Sequence, residues 1–251
     1  MTTNELKYLS KLLIKKFRIE SQQYLIEGEK LVSEALNSNA VVNKIFVEKS
    51  LTEKFKSLIT IASKLNIEVD FIKGNDLSKI CDSKTPQGIA ALLSITKKML
   101  QFEDIIVAIE NVQDPGNVGT IIRTCDWFGI KQIILSNDSV EIYNPKLIRS
   151  TMGSVFHLNI FESNDFYDDL ISLVRKGYKL ICADLNGNDI NEMKLSRKTI
   201  IVFCNESNGP SRKLLELNPE KVTIKKFGMA ESLNVASAAA VILSNYAYRR
   251  A

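Results

Sequence analysis

Three polar segments each follow an apolar run, and together they hold the residue types that meet an anion or a polar ligand. NVQDPGNVGT (111–120) follows IIVAIE and leads into IIRTCDWFG, which brings Asn117 and Arg123 near the end of a predicted strand. TIIVFCNESNGPS (199–211) opens from a buried run into Asn205, Glu206, Asn208, Gly209 and Pro210. TIKKFGMAESLNVASAAA passes a short strand and a Gly228 loop, then reaches Glu231, Ser232, Leu233 and Asn234 before an alanine-rich helix. Each segment has an ordinary reading: Asp-Pro starts turns, Gly tolerates positive φ, and Ser232 can serve as a helix N-cap. Turn chemistry gives no reason for Arg123. Taken together, Asn117, Arg123, Glu206, Ser232 and Asn234 fall at or near the carboxyl ends of three strands, and such convergence is what a site requires. Glycines there let a ligand approach the backbone, and helix amides favour negative charge.

The elements that position these residues follow from periodicity. Apolar residues at Val118, Ile121, Ile122, Cys125 and Phe128 predict a helix over 118–128 with Gly129 as its stop, so strand 105–110, this helix and QIILS form a βαβ unit. Further strands are expected near 155–160, 178–183, 199–204 and 221–224. That alternation argues for a parallel sheet covered by helices on both faces. Before it, helices at 4–17, 27–37, 51–65 and 76–82 alternate with VVNKIFVEK, IEVDFI and GIAALLSI as strands, which makes a small α/β domain. The polar segment TKKMLQFED (96–104) reads as a short linker, with domains of 1–98 and 99–251.

A chain of 251 residues with 45% hydrophobic and 25% charged content is globular. Its amino terminus looks like an amphipathic helix rather than a signal peptide, and no segment reaches membrane-spanning length. Cys81, Cys125, Cys182 and Cys204 lie far apart and His157 is the lone histidine, so no metal site is expected and free thiols in a reducing cytoplasm fit best. His157, in SVFHLNI, reads as a strand residue. Residues 1–100 hold 16 Lys and Arg against 11 Asp and Glu, whereas the remainder holds 17 against 18. The excess at the amino end suits a polyanion, and a solvated surface explains it equally well. GNVG is not the GxGxxG of a dinucleotide-binding enzyme, and no GK[ST] marks a P-loop.

The segments NVQDPGNVGTIIRTCDWFG, VFCNESNGPS and IKKFGMAESLNVASAAA resemble, in order, the three motifs of the SpoU (TrmH) family of RNA ribose 2′-O-methyltransferases. LIKKFRIESQQYLIEGEKLVSEAL and TPQGIAAL are similar to the small RNA-binding domain of many members. The resemblance implies a carboxyl-terminal α/β domain with a trefoil knot, S-adenosylmethionine (AdoMet) as methyl donor, a homodimer, and an RNA substrate, ribosomal rather than transfer RNA. It assigns the chemistry to Arg123, Asn117, Glu206, Ser232 and Asn234, and cofactor contacts to Cys204, Gly209, Ile224, Gly228 and Leu233. Two departures stand out. Cys204 occupies a position where the family usually has Gly, and Lys225-Lys226 stand where it has Pro-Met. They keep one alternative in view, a non-catalytic RNA-binding or ribosome-assembly factor with the same fold; a methyltransferase acting on a base is a second alternative, which the motifs disfavour.

Overall fold

The computed structural model describes residues 1–250 apart from 195, 206 and 207. In chain order the elements begin with α1 (Thr3–Lys11), α2 (Lys15–Ser21), β1 (Gln23–Glu27), α3 (Glu29–Leu36), β2 (Val42–Glu48), α4 (Lys56–Lys64), β3 (Glu68–Ile72), α5 (Gly74–Ile80) and β4 (Ile89–Ser94). They continue with β5 (Ile105–Glu110), α6 (Pro115–Trp127), β6 (Gln132–Ser136), α7 (Pro145–Thr151), β7 (Asn159–Ser163), α8 (Phe166–Arg175), β8 (Lys179–Asp189), β9 (Thr199–Cys204), α9 (Arg212–Leu215), β10 (Glu220–Thr223) and α10 (Val235–Arg250). Two compact units result. One joins Met1–Lys97 to Glu141–Phe156, and the other joins Lys98–Val140 to His157–Ala251.

The first unit is a four-stranded sheet in the order β1-β4-β2-β3, antiparallel except between β2 and β3. Successive side chains of a strand point to opposite faces. Accordingly Ile45, Val47, Ile89, Ala91 and Leu93 join one apolar cluster with Val32, Leu58 and Ile148, while Phe46, Ala90 and Leu92 join another with Leu9, Leu12, Leu77 and Ile80. Helices therefore cover both faces, which is why IAALLS carries no polar alternation. The predicted helix over 4–17 is two helices. The carbonyl of Leu12 accepts from the Arg18 guanidinium at 2.7 Å, and the same side chain donates to both carboxylate oxygens of Glu141, at 3.0 and 2.6 Å. Arg18 is buried despite its charge because this pairing replaces its hydration. β1 lies in a stretch that the sequence pattern left unassigned just before a predicted helix. Gly28, at φ +97°, turns the chain from that strand into α3.

The second unit is a six-stranded sheet, β10-β8-β9-β5-β6-β7, with every neighbouring pair parallel. α8 covers one face through Phe166, Leu170 and Leu173 over Ile106, Ala108, Ile200 and Val202. α10 packs against α6 and β9. From β5 the chain winds outward through β6 to β7, then returns to build β8 and β9 on the other side. The order thus reverses between β5 and β9. The carboxyl ends of strands at such a reversal are where doubly wound sheets take ligands. The strand expected over 155–160 is displaced: residues 154–156 form a 3-10 turn after Gly153, at φ +104°, and β7 starts at Asn159. His157 therefore precedes the strand instead of lying in it, and its Nδ1 sits 2.8 Å from Asp126 Oδ2.

Candidate active site at the ends of β5, β9 and β10

α6 starts earlier than its apolar stripe suggests, because Asp114 and Pro115 form its first turn. Asp114 caps it by accepting from the Asn117 backbone N–H at 2.9 Å, and Pro115 at the first helical position has no amide to satisfy. A Cβ at residue 116 would lie 2.9 Å from the capping Asp114 oxygen, so a side chain there would displace the cap. Val118, Ile121, Ile122 and Cys125 are buried against the sheet, whereas Arg123 is exposed. It follows Gly116 by seven residues and Thr120 by three, so it shares their face of the helix. Helical side chains lean toward the amino end, which directs Arg123 back toward the loop. Among the described residues it has no hydrogen-bond or ion-pair partner.

The loop after β9 is tied to the end of β5. Asn205 donates from Nδ2 to the Asn111 carbonyl at 3.0 Å, accepts from Gly209 N–H on its own carbonyl at 2.9 Å, and receives Asn208 N–H on its side chain at 3.2 Å. Gly209 adopts φ +62° in otherwise open space, so it is the backbone conformation that calls for Gly there. Ser211 then caps α9. Glu110, buried at the end of β5, accepts from Ser211 N–H, from Ser211 Oγ and from the Tyr167 hydroxyl. Glu206 lies outside the described residues.

After β10, residues 225–234 are exposed. Asn234, not Ser232, caps α10: its Oδ1 accepts from Ala236 and Ser237 N–H at 3.0 and 3.3 Å. Its Nδ2 donates to Asn117 Oδ1 at 3.0 Å, which joins the first loop to the third. Ser232 is exposed and, among the described residues, makes no hydrogen bond. Ile224 is half-buried at the start of this loop, Gly228 has open space around it, and Leu233 is half exposed. Phe227 and Met229, exposed to 89% and 97%, add apolar surface to the loop, and Lys225 lies over the Phe227 ring.

Cys204 ends β9 with its side chain in the apolar layer under α8, its Sγ 3.8 Å from that of Cys182. The neighbouring thiol and burial both push the Cys204 thiol far above its ordinary value, so it stays neutral. The sulfur occupies core, and a ligand at this residue would meet its backbone. Of the candidate residues from the sequence, the structure joins Asn117 to Asn234 directly and puts Arg123 on the same helix as Asn117. Glu110, Ser211, Tyr167 and Asn205 were not picked. A carboxylate closing the apolar run IIVAIE was the signal for Glu110, and a Ser before a short helix was the signal for Ser211.

The chain matches the pattern of the SpoU rRNA methylase family over residues 104–244 and that of the MRM3-like substrate binding domain over 3–91. It is 34% identical to the 23S rRNA (guanosine(2553)-2'-O)-methyltransferase RlmP of Bacillus subtilis, over 93% of this chain and 92% of that one. A TrmH-family structure from Porphyromonas gingivalis superposes with a TM-score of 0.89 at 29% identity, covering 99% of each chain. An AdoMet-bound rRNA methyltransferase from Sinorhizobium meliloti does so with a TM-score of 0.86 at 27% identity, over 100% of this chain and 96% of that one.

Proposed function

Because the chain belongs to the SpoU rRNA methylase family, we propose that it transfers the methyl group of AdoMet to a ribose 2′-hydroxyl of ribosomal RNA. The observation that carries this reading is the Asn117–Asn234 bond, which brings the loops after β5 and β10 together beside an exposed arginine without a partner among the described residues. The residues present fit the donor. A backbone bend at Gly209 leaves room for close approach, and Leu233 and Met229 offer aliphatic surface for a methylthio group. Cys204, Gly209, Ile224, Gly228 and Leu233 hold it in this reading. AdoMet supplies an electrophilic methyl carbon when bound, so the protein's task is to aim the ribose oxygen and stabilise its developing charge.

Arg123 does the second. A guanidinium keeps its proton at any working pH, which makes it a poor base and a good electrostatic partner for an alkoxide and the adjoining phosphate. The hydroxyl proton leaves to water or to the substrate's own phosphate. Asn117 and Asn234, locked to each other, fix the angle between the helix bearing Arg123 and the third loop. Glu206 keeps the role that the family resemblance implies, orienting the arginine, and Ser232, unengaged by the protein's described residues, is available to RNA.

In this reading the amino-terminal unit binds the RNA, and the carboxyl-terminal unit carries the family's trefoil knot. Trp127, Val241 and Tyr248 on the packed pair α6 and α10 are exposed to 84%, 43% and 78%, and apolar side chains left open in this way support a homodimer. All four cysteines are free thiols, in keeping with a reducing, cytoplasmic setting. No helix among the described residues is long and apolar enough to cross a membrane.

Alkaline hydrolysis tests the reaction. A methylated 2′-oxygen cannot attack the neighbouring phosphodiester, so product RNA made with labelled AdoMet leaves the label in an alkali-resistant dinucleotide. Label in mononucleotides would mean base methylation, and no transferred label would mean a binding protein.

A further inference from the structure

Glu110 is a buried carboxylate that, among the described residues, pairs with no cation. Its charge is met by neutral donors alone. Oε1 accepts from Ser211 Oγ at 2.6 Å and from the Tyr167 hydroxyl at 2.8 Å, and Oε2 accepts from Ser211 N–H at 3.1 Å. Burial, helped by the Glu110 charge, pushes the Tyr167 hydroxyl up to about 12, so it remains a donor at neutral pH. An apolar trio of similar volume would join β5 to α8 and α9 without the cost of desolvating a charge. What apolar contacts cannot do is fix Ser211 by both its backbone and its side chain.

The placement of that anchor matters. Ser211 ends the loop that leaves β9, and Asn205 begins it. Asn205 is fixed by the carbonyl of Asn111, the residue after Glu110. One dipeptide, Glu110-Asn111, therefore pins both ends of the loop between β9 and α9, and the same dipeptide begins the loop that leads to Asn117 and Arg123. The relative placement of the two loops is set at a single point.

We propose that Glu110 is a positioning residue for the methyl donor: through Ser211 and Tyr167 it holds the 209–211 backbone where AdoMet meets Gly209. This rests on the reading of Cys204 and Gly209 as cofactor contacts. The carboxylate touches neither substrate nor reacting atoms, so its loss should appear in donor affinity and leave RNA recognition alone.

The test measures AdoMet affinity by calorimetry, with KM for AdoMet, KM for RNA and kcat, in Glu110→Gln, Ser211→Ala and Tyr167→Phe, each checked for native folding by circular dichroism. Glu110→Gln and Ser211→Ala should each weaken AdoMet binding about tenfold or more, the scale of a charge-assisted hydrogen bond. KM for RNA should stay within about threefold, below one such bond. Tyr167→Phe, which removes one donor, should have a smaller effect in the same direction. Combining Glu110→Gln with Ser211→Ala should add little to either alone, because they share one interaction. Folded Glu110→Gln protein that binds AdoMet as well as the wild type would overturn the proposal, and so would an equal rise in KM for RNA. Gly209→Val separates this from the underlying assignment. If it leaves AdoMet affinity unchanged, the loop is not the cofactor contact; if it weakens binding while Glu110→Gln and Ser211→Ala do not, only the positioning role fails.

Discussion

Two arginines of the first unit and one of the second do opposite work. In the first, Arg18 is buried against Glu141, and Arg149 bridges Glu27 and Asp82 at 2.6 and 2.5 Å, so both guanidinium groups are consumed in holding chain segments together. In the second, Arg123 sits exposed on α6 with no partner among the described residues. Residue type alone does not distinguish them. A cation whose donors are already matched by carboxylates has little left to offer a substrate, whereas one kept unmatched and exposed carries its full charge to whatever binds there.

Removing one partner of the buried pair should have the largest effect. Glu141→Ala leaves the Arg18 charge buried with only the Leu12 carbonyl, and should cost about 3–5 kcal/mol of stability. Urea unfolding with hydrogen exchange read across residues 1–97 checks it, and a loss below about 1 kcal/mol would mean that the pair behaves like a surface bridge. Arg123→Ala should do the reverse: stability within about 0.5 kcal/mol, AdoMet affinity within a few fold, and methyl transfer down by about 10²–10³-fold. Calorimetry with the donor alone, set beside a transfer assay, reads both halves, and an active mutant would end the assignment.

Asn234→Ala removes an N-cap together with the link to Asn117, so about 1 kcal/mol of stability should go with it. Its activity should fall further than that stability loss accounts for, since the third loop is released from the first; measuring turnover at a temperature where the variant is fully folded separates the two. Phe227→Ala should be the mildest. An exposed ring contributes within about 0.5 kcal/mol to the unliganded fold, so its thermal melt should match the wild type when no ligand is present. A clear destabilisation there would show that the third loop is packed in the free protein as firmly as the loop after β9.

Much of this was legible before any coordinates. The runs IIVAIE and TIIVFC mark β5 and β9 because parallel strands buried on both faces need no polar alternation, and the 3.6-residue stripe from Val118 marks α6. The polar segments following those strands located the candidate site for the same reason. Local pattern is silent where the cause is distant. The Leu12 carbonyl at the break between α1 and α2 is met by an arginine whose other partner is 123 residues away, and the Glu110–Ser211 contact spans 101 residues. His157 was read as a strand residue because SVFHLNI alternates well. Gly153, in a backbone conformation few other residues tolerate, sets the turn that displaced it. Ser232 looked like a cap on type alone, and Asn234, two residues on, was better placed to reach the first free amides of α10.

The assignment of residues 141–156 to the amino-terminal unit has a consequence for how the protein is made. Ile148 is part of that unit's core, and Glu141 supplies the counter-charge that Arg18 needs. A nascent chain that has emerged only to Lys97 lacks both. It must wait, with an unpaired arginine and an uncovered apolar face, until Phe156 has left the ribosome, an interval of about 3–12 s at ordinary elongation rates. By then β5, α6 and β6 have also emerged. The first unit to start is therefore not free to finish first, and a fragment ending at residue 97 should behave as an incomplete domain.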